Sequence, residues 1–376
     1  MKILLATKTF NPITHGPAKF AHFMLQINQY YPEHEIRILT EGIDHEIPNL
    51  IYKITTNYPR PFGSLWPIFD NFKYYKKIEQ IKVNYDFDIL LFNNAIQSTW
   101  SRIKLPITIY VFGMLNDYDY LSENFSTLRY DRRWIINFHR KFLEGLAVRN
   151  IDQTITNSYY LKEQVCLNYK ASERKVSHLY KSIDITKISY QPKGKISLQD
   201  RIKIIFVKSD YHIGGLKILI EALTILSDLN FRLTIIGPKE IHKKNIFAFL
   251  KEAINIEINY LGPQSQETVF TAFTTHHLFC VPSHKEALGV ANIEALASGI
   301  PVVSTRVGGI PEVLDQGKNG WLCEANNVKS LADTIKTCLK DEAARNEKSH
   351  HGRAFVTANF GHEQMLDKLI KILAQG

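Results

Sequence analysis

Short apolar runs alternate along most of the chain with longer stretches whose apolar residues recur at helical spacing, and no other feature restricts the fold as much. Strand candidates, most of them rich in Ile, Val and Leu, fall at residues 2–6, 35–39, 89–92, 107–111, 153–156, 203–207, 232–236, 256–261, 278–281 and 301–304. Several, such as Ile89-Leu90-Leu91-Phe92 and Leu278-Phe279-Cys280-Val281, are apolar throughout. A strand of that kind is buried on both faces, as strands are in a parallel sheet covered by helices on either side. Strand followed by helix, repeated, is the order of an α/β chain with doubly wound parallel sheets.

The chain has 376 residues, more than one hydrophobic core usually supports, so two domains are expected. The strongest break is at residues 182–201. That stretch contains Tyr190-Gln191-Pro192-Lys193-Gly194-Lys195, has no apolar periodicity, and reads as an interdomain linker. The expected domains are therefore 1–181 and 202–356. Gly361 interrupts the C-terminal helical region, and the terminal helix, within about 357–376, is expected to pack back on the first domain. Ligands of such sheets sit at the C-terminal ends of the strands.

Composition removes several function classes. No apolar run reaches the ~18 residues that a spanning helix needs. The opening Met1-Lys2-Ile3-Leu4-Leu5-Ala6-Thr7-Lys8 turns polar too soon for a signal peptide. Cys166, Cys280, Cys323 and Cys338 show neither a CxxC nor a metal-ligand spacing, so free thiols in a reducing, cytoplasmic compartment are expected. The net charge of +9 fits nucleic acid, an anionic membrane surface or an anionic small substrate. No nucleic-acid-binding motif accompanies it, and the basic residues are spread along the chain.

The segment with the most chemistry starts at the strand of residues 278–281. A loop, Pro282-Ser283-His284-Lys285-Glu286-Ala287-Leu288, leads into a helix that begins near Gly289 and closes at Gly299, before the strand at 301–304. The loop and the helix start thus lie at the C-terminal edge of the sheet. A helix N-terminus offers unpaired N–H groups and a positive dipole end to a phosphate, and Gly289 lets the backbone approach closely. Glu294, on the helix, can accept two hydrogen bonds from a vicinal diol such as a ribose. Glu286, eight residues earlier, can do the same for sugar hydroxyls. A pair of glutamates at that spacing is by itself an ordinary surface feature; the strand, loop and helix around it make it specific.

This segment resembles the EX7E region of retaining family 4 (group 1) glycosyltransferases of the GT-B fold. The resemblance rests on Pro282-Ser283 through Glu286, Leu288-Gly289, Glu294-Ala295-Leu296-Ala297-Ser298-Gly299, Pro301-Val302-Val303, Gly308-Gly309-Ile310-Pro311-Glu312 and Asn319-Gly320, all in the family's order. It is strong over residues 278–322 and weak over nearly the whole chain. It implies two Rossmann-like domains facing a cleft, with Glu286 on the donor sugar and Glu294 on the ribose. The backbone N–H groups of Leu288, Gly289 and Val290 would meet the sugar and phosphates, the backbone of Leu261 the base, and Gly16 and Gly237 would lie along the donor. Lys208 stands for the basic residue that neutralises the diphosphate. The family's nearby lysine falls on Ile213 or Gly214, with Lys217 or His212 as stand-ins.

Further departures concern the sugar and the acceptor. Phe112 takes the place of a His or Arg that often reaches the donor sugar. His15, Asn116, Asp117 and Lys181 are the remaining candidates for a sugar or acceptor pocket. Residues 129–149 are basic, with Trp134, Phe138 and Phe142 at helical spacing. They suit either a core-facing helix or one resting on an anionic membrane. The resemblance implies retention without a metal or other cofactor, and a hexose-type sugar moved from a UDP-sugar to a glycan or lipid-linked hydroxyl in cell-surface polysaccharide synthesis. A sugar-nucleotide epimerase, a phosphorylase or a binding protein with little transfer are the rival readings.

Overall fold

A computed structural model describes residues 1–11, 16–54, 66–106, 108–116, 132–250 and 254–375; the side chains of 66–72, 102, 132–138 and 250 are outside that description. The chain divides into two units, Met1–Lys181 with Met365–Gly376, and Ser182–Gln364. Residues 182–201 thus fall within the second unit, and the chain's last dozen residues within the first.

The first unit is built on a seven-stranded sheet: β1 (Lys2–Thr7), β2 (Glu35–Thr40), β3 (Ile51–Lys53), β4 (Ile89–Phe92), β5 (Tyr110–Leu115), β6 (Gln153–Thr156) and β7 (Val176–His178). Every pairing is parallel, in the order β3-β2-β1-β4-β5-β6-β7. Successive side chains of a strand face opposite sides, and β1 shows the result. Ile3 and Leu5 enter one core with Phe112, Ile155 and the terminal helix, while Leu4 and Ala6 enter another with Tyr74, Ile78 and Phe87. The terminal helix His362–Leu373 supplies Met365, Leu366, Leu369, Ile372 and Leu373, an apolar stripe at helical spacing, to the first of these cores.

The second unit carries β8 (Ile202–Val207), β9 (Phe231–Ile236), β10 (Ile256–Gly262), β11 (Leu278–Val281), β12 (Val302–Thr305) and β13 (Trp321–Cys323), again all parallel, ordered β10-β9-β8-β11-β12-β13. Winding starts in the middle of each sheet and proceeds outward both ways. Strand order therefore reverses between β1 and β4 and between β8 and β11, the switch points where doubly wound sheets hold ligands.

β4, β6 and β11 coincide with the strands expected at 89–92, 153–156 and 278–281. β5 begins three residues later than its run and continues through Phe112-Gly113-Met114-Leu115. Gly113 is accepted in mid-strand because a Cβ there would lie 2.9 Å from the Ile151 side chain and 3.1 Å from Ala95. The short strands β3, β7 and β13, of three residues each, were not among the sequence's runs. Among the described residues no helix is long and apolar enough to cross a membrane.

Candidate functional site

In the second unit the switch point brings two exits together. Lys208 is the residue after β8, and its backbone N–H continues the ladder to Ile236 of β9 at 3.0 Å. Pro282 follows β11, the neighbouring strand. The loop from Pro282 folds back so that the Lys208 ammonium donates to the Glu286 carboxylate. Their side chains are 25% and 18% exposed, so the pair is only partly screened by water.

Backbone contacts that tolerate no Cβ hold this loop. A Cβ on Gly215 (φ 72°) would lie 2.1 Å from the Pro282 carbonyl oxygen, and one on Gly309 would lie 2.4 Å from that of Ala287. The His284 N–H donates to the Ile213 carbonyl at 2.8 Å, and the Gly309 N–H to that of Glu286 at 3.2 Å. Gly289 (φ 92°) starts the helix Val290–Ser298 and, being glycine, offers its first turn no side-chain acceptor. Leu288 is buried, so it can meet a ligand through its backbone alone. Gly237 (φ 117°) passes 2.6 Å from the Lys208 backbone, counted from where a Cβ would stand, so close packing against Lys208 already requires a glycine there.

Glu294 is 9% exposed on the helix Val290–Ser298, and its carboxylate accepts from Gln266 Nε2 at 2.7 Å. Leu261 sits where the β9–β10 register shifts, and its carbonyl accepts from Gln264 Nε2 at 2.7 Å. Nothing in the sequence pattern singled out the two glutamines. Gln264 lies in the polar turn after β10 and Gln266 opens the helix Gln266–Thr275, and a donor amide between a strand end and a helix start is the signal that was there to read.

The two stand-ins for the family's lysine are engaged locally. Lys217 pairs with Glu221 on its own helix at 3.5 Å, and the His212 ring lies 4.0 Å from that of Tyr211. Ile213 and Gly214 themselves form the tight turn before the helix Leu216–Ile225, where a Cβ on Gly214 would come 2.6 Å from the Phe206 ring.

The first unit's switch edge is built differently. Asn93, directly after β4, donates through Nδ2 to Thr7 Oγ1 at 2.9 Å and to the Pro17 carbonyl at 2.8 Å. Asn157, directly after β6, donates to the Asn116 carbonyl at 3.0 Å. Both residues are buried, and their Oδ1 atoms have no protein partner among the described residues. Above them a pocket of about 50 Å3 is lined by Gly16, Phe20, Met114, Asn116, Tyr180 and Lys181, among others. Three of the expected residues, Gly16, Asn116 and Lys181, are thus together. A Cβ on Gly16 would meet only the Lys181 ammonium, at 3.8 Å.

Phe112 requires a correction. It is fully buried in mid-strand, within the core that the terminal helix closes. Its apolarity serves packing, and a side chain with no exposed surface cannot contact a sugar. His15 and Asp117 lie outside the described residues, as do the side chains of Trp134 and Phe138. Of the basic stretch, Phe142 is 58% exposed, while Leu143, Ala147 and Val148 are buried. A second, shallower pocket of about 220 Å3, with Arg149, Lys170 and Lys175, lies where the helices Arg132–Asn150 and Tyr159–Tyr169 end. Cations there offset the negative helix ends at the sheet edge away from the switch point.

Two parallel doubly wound sheets, each with its polar groups at a switch point, define the GT-B class, and solved structures agree. Sucrose-phosphate synthase from Thermosynechococcus elongatus superposes with a TM-score of 0.77 at 16% identity, covering 100% of this chain and 98% of that one. Anabaena HepE in complex with UDP-glucose gives 0.71 at 18%, with full coverage of both. The family model of the glycosyl transferases group 1 matches residues 190–355, within the second unit. An uncharacterized glycosyltransferase of Methanocaldococcus jannaschii is 28% identical over 219 residues, 56% of each chain. A capsular polysaccharide biosynthesis glycosyltransferase of Staphylococcus aureus is 24% identical over 60% of this chain and 62% of its own. The alignments thus span a little over half the length of these relatives.

Proposed function

We propose that the protein is a retaining, metal-independent glycosyltransferase that moves a hexose-type sugar, glucose or a uronic derivative, from a UDP-sugar to a hydroxyl of a glycan or lipid-linked acceptor, in cell-surface polysaccharide synthesis. The observation that carries this reading is the Lys208–Glu286 pair across the β8/β11 switch point, with Glu294 one helix turn further in. Lys208 and the N-terminus of the helix Val290–Ser298 oppose negative charge on a diphosphate. Glu286 receives hydroxyls of the sugar, and Glu294 those of the ribose.

In the reaction the bond from the anomeric carbon to the diphosphate oxygen breaks, and the acceptor oxygen bonds to that carbon. The acceptor's proton leaves with the nucleoside diphosphate. The chain's contribution is to stabilise charge growing on the leaving oxygen, which Lys208 and the helix N-terminus do without reorganising. The UDP-glucose complex of HepE and the capsular relative support the donor and acceptor classes. Exposed Phe142 on a basic helix supports contact with an anionic membrane from the cytoplasmic side.

The test combines a thermal-shift screen of nucleotide sugars with transfer of label from the best donor to an acceptor panel. Glu294→Ala should weaken nucleoside diphosphate binding at least about tenfold. Glu286→Ala should mainly lower transfer, by about 100-fold. If both variants bind and turn over like the parent, the site is elsewhere. A sugar-nucleotide-binding protein with little transfer is the second reading, favoured by Ile213 and Gly214 at the place of the family's lysine. Donor binding with neither hydrolysis nor transfer would select it.

A further inference from the structure

The two site carboxylates are held in opposite ways. Glu286 faces a cation. Glu294, nine-tenths buried, is held by the neutral amide of Gln266, at 2.7 Å. Facing a carboxylate, only the NH2 end of that amide is attractive, so the donor is Nε2. A neutral donor orients the carboxylate without itself cancelling its charge.

The position of Gln266 is itself fixed on both sides. It is the first residue of the helix Gln266–Thr275, whose cap Ser265 accepts from the Thr268 N–H at 3.1 Å. Before it, the turn is tied back to the sheet: the Gly237 N–H donates to the Gly262 carbonyl at 2.8 Å, and Gln264 Nε2 to the Leu261 carbonyl at 2.7 Å. Beyond it, Val269 and Phe273 bury the helix, with the Phe273 ring edge-on to Phe279 of β11 at 5.7 Å. Glu294 is set equally firmly, because Asn292 to Ser298 are all buried. Yet Gln266 is exposed. A solvent-exposed side chain thus reaches inward to a buried carboxylate that the proposed function assigns to the ribose.

We propose that Gln266 is a positioning residue for ribose recognition: by holding one oxygen of Glu294 it fixes the rotation at which the carboxylate takes the 2′- and 3′-hydroxyls together, and so makes the site prefer ribonucleotides over 2′-deoxyribonucleotides. This rests on the reading that Glu294 binds the ribose.

The experiment is calorimetric titration of the full chain with UDP, GDP and ADP, each beside its 2′-deoxy form. The parent should favour the best ribonucleotide over its deoxy partner by about tenfold or more. Gln266→Leu, an exposed change, should bring that ratio to within about threefold at unchanged melting temperature. Added to Glu294→Ala, the same change should do nothing further. Three results overturn the inference: Gln266→Leu keeping the parental ratio, weakening both nucleotides equally as a merely structural role would, or a parent that binds without ribose preference. If Glu294→Ala itself leaves nucleotide binding intact, the ribose reading fails, and the inference with it. That outcome is distinct from one in which Glu294→Ala matters and Gln266→Leu does not.

Discussion

The two sheets share one plan and finish it with different chemistry. At β8/β11 the backbone passes so closely that glycines are obligatory, and a charged pair, Lys208 with Glu286, bridges the two strand exits. At β1/β4 the bridge is a neutral amide, Asn93, reaching from Thr7 to Pro17. The glycine there, Gly16, has room for a Cβ, which would meet only the Lys181 ammonium in ordinary contact, and the pocket above has Phe20 and Met114 in its wall. Topology alone sets where a ligand can sit. The groups at each switch point differ in kind: a cation paired with a carboxylate at β8/β11, and amides, apolar walls and the Lys181 ammonium at β1/β4.

Substitutions of glycine should separate the two edges most widely. Gly215→Ala combines a left-handed backbone with a Cβ 2.1 Å from the Pro282 carbonyl. It should cost about 2–4 kcal/mol, and calorimetry should show a melting temperature lower by roughly 5–15 °C. Gly16→Ala should leave stability within about 0.5 kcal/mol and lower transfer alone, because its Cβ makes only an ordinary contact with the flexible end of Lys181 and takes space from the pocket. A Gly16→Ala variant that unfolds early would erase the contrast.

Lys208→Met comes next. It removes a cation from the proposed leaving group and leaves the Glu286 carboxylate partly buried without it. Transfer should drop about 100-fold under saturating donor, and rates within about threefold of the parent would dismiss the charged bridge as catalytic.

A further effect, outside both switch points, is one of pH in the first unit. Burial, together with Lys368 and Lys162, pushes the His178 imidazole from its usual 6.5 down to about 3. Lys368 Nζ lies 2.6 Å from His178 Nε2, a contact that needs an unprotonated acceptor. The unfolded chain takes the proton first. The stability that His178 contributes is therefore complete above pH 6.5 and is lost as pH falls from there toward 3. His178→Gln should make the acid limb of a melting-temperature profile shallower over that window.

Much of the fold was legible in the sequence because burial leaves a local mark. β4 and β11 could be read to the residue, since a strand covered on both faces must be apolar along its length. The loop from Pro282 to Gly289 could be read too, because a strand exit followed by a glycine-started helix is a local arrangement. The short edge strands β3, β7 and β13 left no periodicity to read. Phe112, placed in a pocket by analogy of position, is a core residue, because the strand carrying it runs further than its apolar run suggested.

The sequence by itself determined the alternation of strand and helix, the class of fold, and the candidates Glu286 and Glu294. Only the tertiary structure decided which groups meet. Lys208 and Glu286 are 78 residues apart, and Gln266 and Glu294 are 28 apart. The physical reason is that periodicity reports each residue's own surroundings, whereas a contact between distant residues depends on strand order. That order is settled only when the sheets assemble and β8 comes to lie beside β11.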